Sequence, residues 1–175
     1  MKTNELKNII PLISHNLNEN IVVVSNKQLF FSLNCLKLHF NYQYSLLSSI
    51  SGVDFLGKNY RFAIVYDLLS LTFNRRIRVK TFVNEITLVK SITNLYINAN
   101  WWEREIWDLF GIYFDNHPDL RRILTDYGFE GHPMRKDFPC YGFIELRYDE
   151  SKKRIVVEPV SLSQEFRLFT FQTPW

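Results

Sequence analysis

Two neighbouring runs of residues constrain the fold of this chain more than any other feature. The runs Arg61 to Leu69 and Arg75 to Val83 are rich in β-branched and aromatic residues, and a short connection that contains Asn74 separates them. Such residues favour β-strands, and a short polar connection favours a hairpin. The two runs therefore predict an antiparallel pair of strands.

The second run also alternates in polarity. Its basic residues Arg76, Arg78 and Lys80 are interleaved with Ile77, Val79 and Thr81. Because successive side chains of a strand point to opposite faces, one face is predicted to be basic and the other buried. The basic face has two interpretations. It binds an acidic partner or phosphates, or it is the solvated side of an antiparallel sheet, which is the commoner case.

Length and composition favour one globular domain in a reducing compartment. The chain has 175 residues and a high aromatic content of 16%, which suggests large contacts. A net charge of +3 is too small for a general nucleic-acid binder, so we expect none. Cys35 and Cys140 are the only cysteines, too few for an iron-sulfur cluster, a four-thiolate zinc site or a disulfide scaffold.

The chain carries no sign of membrane insertion or of import. No apolar run approaches the roughly 18 residues that a membrane span needs. The N-terminus lacks the features of a signal or transit peptide. Two alanines against fifteen isoleucines, fifteen phenylalanines and fifteen asparagines indicate AT-biased coding, as in organellar genomes, although a lineage bias explains them equally well.

Spacing and turn residues predict several further elements. Leu6 to Leu17 has helical spacing with a kink at Pro11, and a second helix is predicted from Asn34 to about Ser48. Ser51-Gly52 and Gly57 to Asn59 are predicted turns.

A third helix is predicted after Asn100. Asn100 and Glu103 have the spacing of a capping box, and Gly111 is placed to end the helix. Trp102, Ile106 and Leu109 would form its apolar stripe, with the charged residues Glu103, Arg104 and Asp108 elsewhere on the surface.

The last third of the chain is predicted to be mostly turns. Phe143 to Tyr148 and Arg154 to Val157 could pair as a hairpin. The tail beyond Pro159 carries Phe166, Phe169, Phe171 and Trp175, and these aromatic rings should either fold back or cover a partner.

The stretch GFEGHPMRKDFPCYGF, Gly128 to Phe143, is too rich in glycine, proline and charge for a helix or a buried strand. One interpretation is an enzyme site in which His117 and His132 bind a metal and activate water. Each histidine precedes a proline, however, and no metal-binding motif is present. The interpretation we favour is a binding segment whose arginines and aromatic residues contact a partner. The third interpretation is a loop that folds onto its own domain.

The run EREIWDLFGIYFDNHPDLRRIL, Glu103 to Leu124, resembles the signature of the thirty-kilodalton subunit family of respiratory complex I. The stretches LTDYGFEGHPMRKDFP, ELRYDE, VEPV and QEFR also look like the family, and so do FAIVYDLLSL and RIRVKTFV. The composition is most similar to that of mitochondrially encoded members. Met134 and Cys140 stand where an apolar residue is usual.

The resemblance implies an α+β fold, with an antiparallel or mixed sheet packed with helices over residues 1–115 and an extended docking segment and tail over 116–175. It implies a subunit without its own catalytic centre, cofactor or metal, in the peripheral arm of a proton-pumping NADH:ubiquinone oxidoreductase on the matrix side of the mitochondrial inner membrane. The complex as a whole would use FMN, iron-sulfur clusters, NADH and ubiquinone. The implied partners are the large quinone-site subunit and the terminal-cluster subunits.

Two groups of residues are assigned roles on this basis. The helix-end charge network would comprise Glu103, Arg104, Glu105 and Asp108. The docking residues would be His117, Arg121, Arg122, His132, Arg135, Lys136 and Asp137. The alternative from another class is a stand-alone metal-dependent hydrolase that uses His117 and His132.

Overall fold

The structure is a computed structural model that describes residues 12–16, 20–161, 167, 169 and 171–173. Its strands are β1 (Leu12–Asn16), β2 (Ile21–Val24), β3 (Leu46–Asp54), β4 (Phe62–Ser70), β5 (Arg75–Val83), β6 (Val89–Lys90), β7 (Phe114–Asp115), β8 (Ile144–Asp149) and β9 (Arg154–Pro159). Its helices are α1 (Leu29–Leu38) and α2 (Ala99–Phe110), with one 3₁₀ turn at Asn26–Gln28. The predicted α+β class is confirmed.

The main sheet has five strands in the order β1-β2-β5-β4-β3. The predicted pair is confirmed as β4 and β5, which run antiparallel from Phe62 opposite Val83 to Ser70 opposite Arg75. Asn74 lies in the connection in the left-handed conformation, which asparagine tolerates better than most residues. Because β2 pairs with β5 in parallel, the sheet is mixed.

The core lies on one face of this sheet. Ile77, Val79 and Thr81 of β5 are buried as predicted, whereas Arg76 and Arg78 are exposed on the other face. Leu29, Leu33 and Leu36 of α1 join the same core cluster, together with Ile106 of α2. Both helices therefore contribute to a single apolar core with the inner face of the sheet.

Two of the helix predictions are wrong. Residues 12–16 of the predicted N-terminal helix form strand β1, paired with β2, and the rest of that prediction lies outside the described residues. The helix predicted from Asn34 to Ser48 instead runs from Leu29 to Leu38. The buried spacing of α1 begins at Leu29, and no glycine or proline between 34 and 48 marks its end.

The predicted turn at Ser51-Gly52 is also wrong, since both residues lie inside β3. A Cβ atom on Gly52 would lie 2.7 Å from the Phe110 ring. This glycine permits close approach of α2 to the strand, so it marks a packing contact and not a turn. The turn predicted at Gly57 to Asn59 is confirmed.

Helix α2 begins two residues earlier than predicted and is not held by the predicted capping box. Its N-cap is Asn98, whose side chain makes no cap bond, and Glu103 is turned into the core. Gly111 ends the helix in the left-handed conformation, as predicted.

The chain divides into two compact units, Met1–Phe138 and Pro139–Trp175. In the second unit, β8 and β9 form the predicted hairpin. Within the described part of the chain, no helix is long and apolar enough to cross a membrane.

Candidate functional site

Residues 116–138 form an irregular segment that is anchored on α2 by one buried carboxylate. The Asp108 side chain accepts hydrogen bonds from the backbone N–H groups of Ile123, Leu124 and Thr125 at 2.8–3.1 Å. It also accepts the Thr125 hydroxyl at 2.6 Å and pairs with the Arg122 guanidinium at 2.8 Å. One carboxylate thus supplies partners for three consecutive amides that have no strand or helix to join.

These bonds keep Asp108 ionised. Burial by itself raises the pKa of a carboxyl group. Here the donors from Thr125, the Leu124 amide and Arg122 outweigh that effect and hold the pKa of Asp108 well below its ordinary value. The anion therefore persists in a buried position because the segment surrounds it with donors.

Other bonds join the segment to the C-terminal half of α2. The His132 Nδ1–H donates to the Asp108 carbonyl at 2.9 Å, and the Arg135 Nε–H donates to the Phe110 carbonyl at 2.7 Å. The last carbonyls of a helix lack partners within the helix, so these side chains satisfy them. In the reverse direction, Arg104 donates to the carbonyls of Arg121 and Arg122 at 3.2 Å.

A second carboxylate, Asp54 at the end of β3, anchors the far part of the segment. It accepts the backbone N–H of Lys136 at 2.8 Å and pairs with Arg61 at 2.9 Å. Arg61 also contacts Asp137 at 2.9 Å, so Asp137 is held from within the chain. The hydrogen bond from Arg61 is the main reason that the pKa of Asp54 lies below its ordinary value.

Glu103 and Arg104 are buried, so the expectation that Glu103, Arg104 and Asp108 lie on the surface is wrong. Glu103 accepts the Ser91 hydroxyl at 2.6 Å and the Ile92 N–H at 2.8 Å. Burial raises its pKa to about 7, although these two donors act in the opposite direction. Glu103, Arg104 and Asp108 therefore point inward and are hydrogen-bonded there, which the apolar-stripe analysis of the helix could not predict.

Both ring nitrogens of His117 are occupied within the chain. Nε2–H donates to the Asn100 carbonyl at 3.1 Å, and Nδ1 accepts the Asp119 N–H at 3.1 Å. Among the described residues, no group of three His, Cys, Asp or Glu side chains could hold a metal ion. Neither finding supports the hydrolase built on His117 and His132.

The remaining predicted residues are more accessible. Glu105 is partly exposed, and Lys136 is exposed apart from its anchored backbone. Arg121 forms an exposed ion pair with Asp119 at 2.9 Å.

The outward surface of the segment carries apolar as well as charged side chains. Leu124, Tyr127 and Met134 are exposed, while Arg122, His132 and Arg135 are turned inward. Arg122 also lies over the Trp107 and Phe129 rings. Three large apolar side chains of the segment are therefore left in contact with solvent.

Sequence reasoning missed four residues of this network: Asp54, Arg61, Ser91 and Thr125. Asp54 and Lys136 are 82 positions apart, and no local spacing relates them. Thr125 follows the Glu103 to Leu124 signature directly, but nothing in its neighbours shows that it faces Asp108.

The chain matches the family model described as "Respiratory-chain NADH dehydrogenase, 30 Kd subunit" over residues 22–143. Because that match covers more than half of the chain, the protein belongs to this family. The charged residues described above lie within the matched range.

Curated relatives agree with the assignment. The chain is 62% identical to NADH-ubiquinone oxidoreductase subunit 9 of Reclinomonas americana over 140 residues, covering 80% of this chain and 69% of that protein. It is 52% identical to the subunit 9 of Prototheca wickerhamii over 163 residues, covering 93% and 84%.

Solved structures are similar as well. The trypsin-resistant fragment of Nqo5 is 32% identical, with a TM-score of 0.50 over 57% of this chain and 81% of that one. A chain of the archaeal membrane-bound sulfane sulfur reductase has a TM-score of 0.67 at 23% identity, over 87% of this chain and 96% of its own, and shares the fold.

Replacing Asp108 by Asn should loosen the segment. The variant leaves Arg122 without its anion and directs an amide toward N–H donors. We therefore expect the free energy of unfolding, measured in urea, to fall by about 3 kcal/mol. Limited proteolysis should cleave residues 117–138 earlier. The control is Asp119→Asn, whose exposed pair with Arg121 should change stability by no more than about 0.5 kcal/mol. Equal effects of the two variants would contradict the anchoring role.

The pKa of Glu103 predicts a specific pH dependence. Its folded-state value of about 7 lies above the ordinary 4.5, so the folded chain keeps a proton that the unfolded chain releases. The free energy of unfolding should therefore fall between pH 4.5 and 7, by about 3 kcal/mol, and Glu103→Gln should lose this decline. Urea unfolding across that range tests it, with the partly exposed Glu105→Gln as control. Parallel curves for wild type and Glu103→Gln would contradict it.

Proposed function

We propose that this chain is a non-catalytic structural subunit of the peripheral arm of NADH:ubiquinone oxidoreductase. In this proposal residues 1–115 form the globular domain, and residues 116–175 are the docking segment and tail. The observation that carries the proposal is the anchored segment, which turns three basic side chains inward and exposes Leu124, Tyr127 and Met134. Apolar side chains on a preorganised backbone suit permanent contact with another subunit, because little conformational freedom is lost on binding.

The partners proposed are the large quinone-site subunit and the subunits that hold the terminal iron-sulfur clusters. FMN and the clusters would lie in other chains, since Cys35 and Cys140 supply only two thiolates and a cluster needs four ligands. The chain would act by fixing the geometry between those subunits, on the matrix side of the mitochondrial inner membrane. Membership of the family, together with organelle-type relatives, supports this location.

The predicted docking residues then divide into two roles. His117, Arg122, His132, Arg135 and Asp137 would hold the segment in shape through their bonds within the chain. The remaining docking residues, Arg121 and Lys136, would meet the partner directly.

The hairpin of the second unit supports the same function. Leu146 faces Val157 and Tyr148 faces Ile155 across the two strands, and all four are exposed on one face. The other face carries a pair between Arg147 and Glu158 at 2.7 Å. A two-stranded hairpin is marginally stable in water, so an apolar face of this kind is suited to a partner surface.

Replacing Tyr127 by Ser should weaken assembly and leave the chain folded. Tyr127 is fully exposed, so stability should change by no more than about 0.5 kcal/mol. The amount of chain that migrates with the assembled oxidoreductase on native gels should fall about fivefold or more, because exposed aromatic residues are frequent interface hot spots. NADH:ubiquinone turnover per assembled complex should be unchanged.

The matched control is Tyr60→Ser, an exposed tyrosine in the loop between β3 and β4. It should assemble normally. Normal assembly of the Tyr127 variant with slower turnover per complex would overturn the structural role, since it would show that Tyr127 affects catalysis and not assembly.

A further inference from the structure

Three segments that are distant in sequence meet at one end of the main sheet. The Tyr96 hydroxyl donates to the Tyr44 carbonyl at 2.7 Å, and the Asn98 side chain donates to the Leu47 carbonyl at 2.7 Å. Leu46 pairs with Leu69, the residue before Ser70, at which β4 ends. The end of α1, the connection between β4 and β5 and the start of α2 therefore lie together.

This end of the sheet is unusually apolar at its surface. Six large side chains on the three segments are between 42% and 90% exposed: Leu38, Phe40, Leu46, Leu71, Ile97 and Trp101. We refer to these six residues as the apolar end. Isolated exposed apolar residues are common, but a group on neighbouring segments indicates an interaction site.

The charges within these three segments have one sign. Although the chain holds 18 acidic residues, none lies in residues 37–47, 69–76 or 93–102. Lys37, Arg75 and Arg76 lie in the same segments. Lys37 is engaged with the Leu95 carbonyl, and the Arg75 guanidinium lies over the Phe73 ring. Within the described ranges, the Arg76 side chain has no hydrogen-bond or ion-pair partner.

Arg76 borders a polar cavity of about 390 Å³ on the outer face of the sheet. Ser48, Ser49, Asp67 and Arg78 also line it, and Asp67 and Arg78 are paired with each other at 2.7 Å. Because that pair is neutral overall, Arg76 gives the cavity one net positive charge. In the strand register it lies beside Leu69, which lies beside Leu46, so the cavity adjoins the apolar end.

We propose that the apolar end binds a segment of another protein chain that presents apolar side chains flanked by carboxylates, one of which enters the cavity at Arg76. A guanidinium binds a carboxylate through two parallel hydrogen bonds, and exposed Trp and Leu side chains offer the apolar contact. An anionic membrane surface fits less well, because lipid recognition uses clusters of about four to eight basic residues and this end has three.

The start of the docking segment reaches Asn100, beside Trp101, through His117, but its second anchor lies far from the apolar end. The Lys136 backbone is bound to Asp54, at the opposite end of β3 from Leu46. Nine residues of strand separate the two points by roughly 26 Å. The inference rests on the proposed function only because it assumes that the chain works within an assembly. It adds to the docking segment a second contact with a partner, of defined chemistry.

Photo-cross-linking in the assembled complex tests the inference. The full chain would carry p-benzoylphenylalanine in place of Trp101, and in a control in place of Tyr60 at the other end of β3. After native separation and irradiation, the position 101 product should contain a peptide of another polypeptide with apolar residues and at least two Asp or Glu near the linked position. The position 60 product should not contain that peptide.

Four results in a complex that contains the chain would overturn the inference. They are a phospholipid adduct, a peptide of this same chain, a peptide without carboxylates, and no product. A chain that fails to migrate with the oxidoreductase would overturn the proposed function, and this inference with it. The two failures are therefore distinguishable on the same gel.

The charge requirement is tested with Arg76→Glu in the cross-linking chain. We expect the yield of the position 101 product to fall about fivefold or more, because a carboxylate of the partner would meet a like charge. Lys58→Glu makes the same change of charge in the loop between β3 and β4 and should leave the yield within about twofold. An unchanged yield with Arg76→Glu would overturn the carboxylate contact.

Discussion

The Asp108 carboxylate is the interaction on which the C-terminal half of the first unit depends. A segment of 23 residues without helix or strand of its own from residue 116 must find partners for its backbone groups, since unpaired buried amides are costly. Asp108 accepts three such amides, a hydroxyl and a guanidinium within one turn of chain. The position of Asp108 near the end of α2 therefore decides where Arg122 and Thr125 lie, and Arg122 in turn reaches the Gly131 carbonyl.

The exposed chemistry of the segment follows from this constraint. Arg122, His132 and Arg135 are turned toward α2, and apolar side chains such as Tyr127 and Met134 are left outside. Gly111 belongs to the same arrangement, because a Cβ atom there would lie 2.6 Å from atoms of Arg135 and His132. The helix end, the glycine and the two side chains form one unit, which fixes this part of the segment against α2.

Local sequence patterns predicted the parts of the fold that depend on interactions between residues close in sequence. The alternation in Arg75 to Val83 gave the buried and exposed faces of β5, and Gly111 gave the end of α2. The family signature led to Glu103, Arg104 and Asp108, but not to their burial. Their partners lie between Ser91 and Thr125 and contact them only when the chain is folded. An analysis of the apolar stripe of a helix places charged residues on the solvent-exposed side. The prediction of a turn at Ser51-Gly52 failed for a similar reason, because the Phe110 ring that requires Gly52 lies far along the chain.

Amide hydrogen exchange on the isolated full chain tests the central claim most directly. If Asp108 organises the segment, the amides of Ile123, Leu124 and Thr125 should exchange at least about a hundredfold more slowly than those of Glu130 and Gly131, without any partner present. Exchange of all five at similar fast rates, with protection appearing only in the assembled complex, would contradict the account. It would show that a neighbouring subunit, and not the buried carboxylate, gives the segment its structure.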